Sequence, residues 1–444
     1  MEAPAQIALK RVVTPPMLVL FILGDVLGAG VYALAGTIAD QVGGAIWMPL
    51  LLALLFALLT AGSYAELVTK YPQAGAAAVF AGKAFRSPLV SFLVGFCMLA
   101  AGVTSAAGLS LAFAGDYLAT FVDLPPHVTA LAFLGVIGLL NARGIKESLS
   151  ANIVMTLIEV SGLVLVVVAG AWFLGQGHGD PGRALEFKAG TSPGVAILGA
   201  ALLAFYSFVG FETSANLAEE VRDVRRTYPR ALFGALLIAG VIYMAVGVAA
   251  ATVLPVDSLV SSSAPLLDVV RASGLGIPPR LFAFIALVAV ANGALLTMIM
   301  ASRLTYGMAR TGLLPAVFGR VLARRRTPWV AILATTLAAA GLTLTGSLEV
   351  LAQTVVLLLL FVFISTNLAV LILRRDRVEA RHFRVPTPVP VLAILSCLVL
   401  MSQQSADTWL RAGILLLVGL ALYAGSRFAT VHSAHSTDPS EIKE

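Results

Sequence analysis

Long apolar runs separated by short polar connectors fill most of the 444 residues. Twelve windows predict membrane-spanning helices: 16–39, 44–69, 88–118, 128–142, 148–174, 193–216, 230–253, 280–308, 328–346, 349–373, 389–405 and 409–428. A bilayer core of roughly 30 Å needs about 20 apolar residues per helix. The window 128–142 is short for this, and 88–118 is long enough to tilt. The predicted fold class is therefore an all-α polytopic membrane protein with twelve transmembrane helices. Composition agrees: 59% of residues are hydrophobic and 12% charged, with a mean hydropathy of +0.95. A soluble domain is nearer half apolar and a quarter charged.

Charge then orients the chain. Twelve spans put both termini on one side, and of the 29 Lys and Arg all but Arg183, Lys188, Arg271, Arg280 and Arg411 fall on that side. The positive-inside bias makes it the cytoplasm. The net charge of +6 is thus a topology signal, and nucleic-acid binding is not expected. The N-terminal MEAPAQIALKRVVTPP runs straight into a long span and does not read as a cleaved signal peptide. Residues 431–444, VHSAHSTDPSEIKE, read as a disordered cytoplasmic tail. Cys97 and Cys397 lie within apolar runs, so no disulfide is expected. No Cys/His cluster suggests a metal and no phosphate-binding loop suggests a nucleotide, so no cofactor is expected. The compact chain suits a prokaryotic plasma membrane.

Two spans break the pattern of a lipid-facing helix. In the first, Gly24, Asp25, Gly28 and Gly30 cluster at mid-span; in the sixth, Ser207, Gly210 and Glu212 do. Irregular backbone at that depth survives only where it lines a cavity or is buried in protein. A broken helix frees N–H groups that favour an anion and carbonyls that suit an ammonium or a cation. Breaks five spans apart suggest a five-plus-five inverted repeat, 16–174 and 193–373, with 389–428 added.

Four stretches together resemble the amino acid–polyamine–organocation permeases, especially the branch similar to cationic amino acid transporters. They are GDVLGAGVYALAG in span one, SYAELVTKYPQAGAAAVFAGKAF (63–85), FYSFVGFETSANLAEEVRDVRRTYPRAL (205–232) and MASRLTYGMARTGLLP (300–315). The resemblance implies a leucine-transporter-type fold, with helices one, two, six and seven rocking against a scaffold of three, four, five, eight, nine and ten. It implies alternating access for an amino acid or amine, driven by protons or by exchange. Gly28, Ala29 and Gly30 would then hold the substrate carboxylate through backbone N–H groups. Carbonyls near Asp25 and Val26, and around Phe205 and Ser207, would take the ammonium, while Tyr206 and Phe208 stand where the family places aromatic gates. Glu212 matches a Gly-Phe-Glu motif and either caps the second half of helix six or senses a proton.

Two acids depart from the family pattern. Asp25 stands where a small or uncharged polar residue is usual. Glu159 stands where many relatives have a lysine. Asn152, Thr156, Glu159 and Gly162 share one helical face, which is expected to look into the bundle. Three roles are open for Glu159: a proton site, a cation ligand with Ser302 and carbonyls of the helix-one break, or a structural hydrogen-bonding acid. Asp25, Glu159 and Glu212 together suggest an acidic interior, favouring a cationic ligand, a coupled proton or both. The leading reading is a transporter importing an amino acid with a proton. The alternative is a carrier or exchanger of polyamines or other organic cations. No nucleophile–base constellation points to an enzyme, and no obligatory protein partner is predicted.

Overall fold

The computed structural model describes residues 13–435 except 74–75, 144–147, 323–324 and 326. Lys10, Arg11, Lys146, Arg324, Arg326, Lys443 and residues 436–444 of the expected tail lie outside these, as does the side chain of Ala29. In chain order the α-helices are α1 (Pro15–Val26), α2 (Ala29–Val42), α3 (Trp47–Lys70), α4 (Ala76–Phe85), α5 (Pro88–Phe113), α6 (Asp116–Ala119), α7 (Pro126–Arg143), α8 (Ser148–Gly175) and α9 (Pro193–Tyr206). They continue with α10 (Val224–Val253), α11 (Val256–Ser261), α12 (Pro265–Ala272), α13 (Pro279–Arg310), α14 (Trp329–Thr343), α15 (Leu348–Leu373), α16 (Pro388–Ser402) and α17 (Ala406–His435). Among the described residues there is no β-strand, only isolated bridges at Val13–Val221 and Gly43–Phe187.

Nine of the described helical segments are long and apolar enough to cross a membrane. The bent pair α1 and α2 makes a tenth span, and α14 and α16 are shorter apolar helices of 15 residues each. The apolar windows fall on these helices, with 16–39 divided between α1 and α2 and 193–216 between α9 and a 3₁₀ segment (Phe211–Leu217), and two other boundaries shift. Helix α10 starts at Val224 rather than near 230, because Asp223 turns the chain in the left-handed region (φ 46°) directly after the helix-six segment. Helix α17 continues to His435, into the segment expected to be a disordered tail.

Local sequence sets the helix starts. Pro occupies the first turn of α1, α5, α9, α13 and α16, where its missing N–H costs nothing. Ser87 and Ser347 cap α5 and α15, their hydroxyls accepting the Val90 and Val350 N–H groups. Helix α5 lies at the centre, packed along α13 and α15, while α3 packs on α10, and α1 on α10 and α8. The outer faces stay apolar: Leu139, Leu337, Leu410 and Leu417 are each more than 60% exposed. Such surfaces would aggregate in water and suit lipid. Cys97 and Cys397 are buried, free thiols.

A polar knot fastens one end of the molecule. Glu66 of α3 receives two hydrogen bonds from Arg374, at 2.8 and 2.7 Å, and one from the Val385 N–H at 3.0 Å. The carboxylate is almost fully buried, and its hydrogen bonds to the guanidinium raise the Arg374 pKa further. Lys70 donates to the carbonyls of Leu373 and Asp376 at 2.6 and 2.7 Å, and Tyr71 bonds the Asp376 carboxylate. The loop after α15 is thereby tied to the end of α3.

Candidate functional site between two interrupted helices

The first interruption is short. The Leu27 N–H still closes on the Leu23 carbonyl at 2.7 Å, then Gly28 leaves the helix (φ −44°, ψ −169°) and α2 restarts at Ala29. The two halves are bent by 44°. The first N–H groups of a restarted helix have no partner within it. Two glycines here do different things. A Cβ on Gly30 would stand 2.8 Å from Ser207 Cα, so Gly30 lets the two interruptions touch. A Cβ on Gly28 would meet nothing nearer than the Asp25 carbonyl at 3.8 Å.

The second interruption is longer. Helix α9 stops at Tyr206, residues 207–209 turn on i→i−3 bonds, and a 3₁₀ segment covers Phe211–Leu217. Gly210 adopts φ 123°, and a Cβ there would stand 2.6 Å from the Asp25 carbonyl. Only glycine satisfies both the torsion and the contact. The Glu212 carboxylate accepts the Gly210 N–H at 3.0 Å, closing the start of the 3₁₀ segment. Thr213 bonds the Asp25 carboxylate and lies 2.8 Å from the Gly210 carbonyl.

Tyr243 of α10 joins the two interruptions. Its hydroxyl lies 2.6 Å from the Val26 carbonyl and 3.1 Å from the Ser207 carbonyl. One proton serves two acceptors, so these carbonyls remain half-satisfied.

Between the interruptions and the central helices lies a cavity of about 50 Å³. On the break side it is lined by Asp25, Val26, Gly28, Gly30, Tyr206 and Ser207, then by Gly210, Glu212 and Thr213. Tyr206 is held there by a 3.2 Å hydrogen bond with Ser105 of α5. Phe205 and Phe208 are not in the lining. Phe205 packs edge-on against Phe363 and Phe208 edge-on against Tyr243, with centroids 6.1 and 5.3 Å apart. The α9 geometry turns Tyr206 into the cavity and its two aromatic neighbours into the surrounding core.

Glu159 also lies outside the cavity, in a separate buried polar cluster. Asn152, Thr156 and Glu159 of α8 are at most 2% exposed. A Cβ on Gly24 would run into the Thr156 hydroxyl, so this face does press on α1. The Tyr32 hydroxyl donates to the Glu159 backbone carbonyl at 2.9 Å, and Asn292 of α13 donates to Asn152 at 3.1 Å. Among the described residues the Thr156 hydroxyl and the Asn152 amide nitrogen have no hydrogen-bond partner, and the Glu159 carboxylate lies beside the Asn292 amide with no ion pair to it. Ser302 is elsewhere. It accepts from Asn141 of α7 at 3.1 Å. Ten residues beyond Asn292 on a helix rising about 1.5 Å per residue, it sits some 15 Å from that cluster.

Several residues at the site were not singled out from the sequence. Tyr243, which joins the interruptions without lining the cavity, is a lone tyrosine in an apolar run, and the lining residues Thr213 and Ser105 each sit beside another hydroxyl, Ser214 and Thr104. Only the approach of α10, α9 and α5 gives them partners.

Fold and site together define a class: a multi-pass membrane protein with a small buried cavity between two interrupted helices. The chain belongs to the amino acid permease family, whose model matches residues 16–412, and to the cationic-amino-acid-transporter-like branch of the amino acid–polyamine–organocation superfamily. Membership in a permease family makes it a transporter rather than an enzyme. It is 26% identical to the branched-chain amino acid permease BcaP of Bacillus subtilis over 94% of this chain and 93% of that protein. It is 34% identical to the vacuolar cationic amino acid transporter 2 of Arabidopsis thaliana, over 82% of this chain and 60% of that one. It is also 27% identical to the methylthioribose transporter of Bacillus subtilis, over 94% of this chain and 93% of that protein.

Proposed function

We propose that this transporter moves amino acids across the plasma membrane by alternating access, with a proton as the coupling ion. In this reading the chain spans the bilayer twelve times, with its termini in the cytoplasm and a five-plus-five inverted repeat around the two interruptions. The observation that carries the reading is the meeting of the two interruptions at one cavity, with helix-start N–H groups that lack partners within their helix on one side and carbonyls sharing one hydroxyl proton on the other. A zwitterion complements both. Its carboxylate goes to the N–H groups of Gly28, Ala29 and Gly30, and its ammonium to the carbonyls of Val26 and Ser207, beside Asp25. Three ammonium protons supply the donors that the single Tyr243 proton cannot. Tyr206 closes the cavity towards α5.

Glu159 is the proposed proton site. An ionised carboxylate deep in the membrane, with no cationic partner, would cost several kcal/mol. The proposed resting form is therefore the protonated acid. It presses on α1 through the same face that packs Gly24, so rocking of α1 opens it to water and releases the proton. Glu212, engaged as a cap, is assigned to holding the helix-six break.

The test is uptake of radiolabelled amino acids into proteoliposomes, with and without an inward proton gradient. Gradient-driven uptake that Glu159→Gln abolishes, with binding retained, supports the assignment. Uptake indifferent to the gradient, or driven only by internal amino acid, refutes proton coupling.

A further inference from the structure

The wall facing the interruptions says which amino acid fits. We propose that the cavity selects a neutral amino acid with an apolar side chain, and that Gly102 of α5 sets how large that side chain can be. This rests on the amino-acid reading above and narrows it.

Charge is the first argument. The far wall comes from α5, α13 and α15, and its lining includes Met98, Met300, Val355 and Leu359 but no acidic, basic or histidine side chain. Its hydroxyls are those of Ser105, already bonded to Tyr206, and Thr297. The acidic interior expected from sequence does not reach this wall. Glu159 is outside the cavity, Glu212 is bonded to the Gly210 N–H, and Asp25 is bonded to Thr213 on the break side, where the ammonium would sit. A guanidinium or second ammonium reaching the far wall would lose its water and find the nearest carboxylates, Asp25 and Glu212, on the opposite side and already bonded, a cost of several kcal/mol. A hydrocarbon or thioether chain loses nothing there and gains burial.

Space is the second argument. Gly30 and Gly210 are glycines because backbone occupies the place of a side chain. Gly102 is different. A Cβ there would meet Ala301 Cβ, Met300 Cε and Thr297 Cγ2, all at 3.6 Å, which is ordinary contact. Gly293 behaves alike, its Cβ meeting Leu109 Cδ1 at 3.5 Å and Gly28 Cα at 3.9 Å. Protein packing does not require either glycine, so the missing methyl groups leave room for the ligand. The cavity of about 50 Å³ holds roughly three to five waters. That suits a small amino acid, and movement of Met98 and Met300 extends it to a branched or thioether side chain.

The test measures equilibrium binding of alanine, valine, leucine, methionine, arginine, lysine and putrescine to the purified full-length transporter in nanodiscs, for wild type and Gly102→Ala. Leucine, valine or methionine should bind at least about tenfold more tightly than arginine or lysine. Gly102→Ala should lower the leucine-to-alanine affinity ratio about tenfold or more, as one displaced methyl in an apolar pocket does. Arginine or lysine binding as tightly as leucine overturns the neutral class. An unchanged leucine-to-alanine ratio overturns the role of Gly102. Should Gly102→Ala fail to fold, Met300→Ala provides the reverse test: enlarging the slot should admit phenylalanine, and failure to do so overturns the proposed slot. Binding of putrescine with no amino acid bound at all is a separate outcome, and it refutes the amino-acid reading itself.

Discussion

Two glycines of one triplet should respond oppositely to the same added methyl group. In Gly30→Ala the new Cβ would stand 2.8 Å from Ser207 Cα and 2.9 Å from Ser207 Oγ. The hydroxyl can rotate away but the backbone cannot, so the two interruptions must separate by several tenths of an ångström. Overpacking of this kind costs about 1–3 kcal/mol. If the strain is relieved by parting the interruptions, the carboxylate and ammonium subsites separate too, and affinity falls by roughly 5- to 150-fold at about 1.4 kcal/mol per decade. In Gly28→Ala the methyl meets nothing within 3.4 Å and the torsion φ −44° is open to alanine. Its thermal stability should stay within about 0.5 kcal/mol of wild type. Binding should still weaken, because the methyl projects where the ligand lies. The assay is thermal unfolding of each purified variant, followed by a substrate titration of that unfolding temperature. Equal stability of Gly30→Ala and wild type would show that the interruptions do not touch. A Gly28→Ala protein as unstable as Gly30→Ala would show that Gly28 is a packing residue.

Arg374→Met should destabilise the protein by about 3–5 kcal/mol, because it leaves the buried Glu66 carboxylate unpaired; adding Glu66→Gln should recover part of the loss in the same unfolding assay. Tyr243→Phe removes the shared donor to the Val26 and Ser207 carbonyls and should cost about 1–3 kcal/mol in the empty protein. That difference should shrink at saturating amino acid, whose ammonium replaces the donor, when both proteins are melted with and without ligand. Gly24→Ala collides with the Thr156 hydroxyl and should lower the unfolding temperature. Thr156→Ala in the same chain should restore it, whereas additive losses would refute the contact.

The helices were legible because lipid demands long apolar runs, and those runs place the helices to within a few residues apart from the start of α10 and the ends of α9 and α17. The interruptions were legible for a related reason. Gly28, Gly30 and Gly210 are costly in a lipid-facing helix, and at Gly30 and Gly210 the reason is a contact: Ser207 and Asp25 occupy the space of a side chain. The face Asn152–Thr156–Glu159 followed from helical spacing alone. What spacing cannot give is which distant helix meets that face and at what height. Ser302 was grouped with Glu159 from its helix, yet its height along α13 puts it against Asn141. Phe208 was grouped with Tyr206 because the family resemblance places aromatic gates at both, yet the turn after α9 sends it into the core against Tyr243. Tyr243 itself carried no signal in an apolar run. The charge count of the interior was legible only in part: Asp25 and Glu212 do line one cavity, while Glu159 lies outside it.

The most direct measurement compares leucine with two truncated analogues, one lacking the carboxylate (isopentylamine) and one lacking the amine (isocaproate), by equilibrium binding to the purified transporter. A cavity that grips a zwitterion between two helix interruptions loses charge-assisted hydrogen bonds at one end or the other. Each such loss is worth about 1.5–3 kcal/mol, so each analogue should bind roughly tenfold to a hundredfold more weakly than leucine. An amine that binds as tightly as leucine would contradict the account, because the N–H groups at Gly28, Ala29 and Gly30 would then hold no carboxylate.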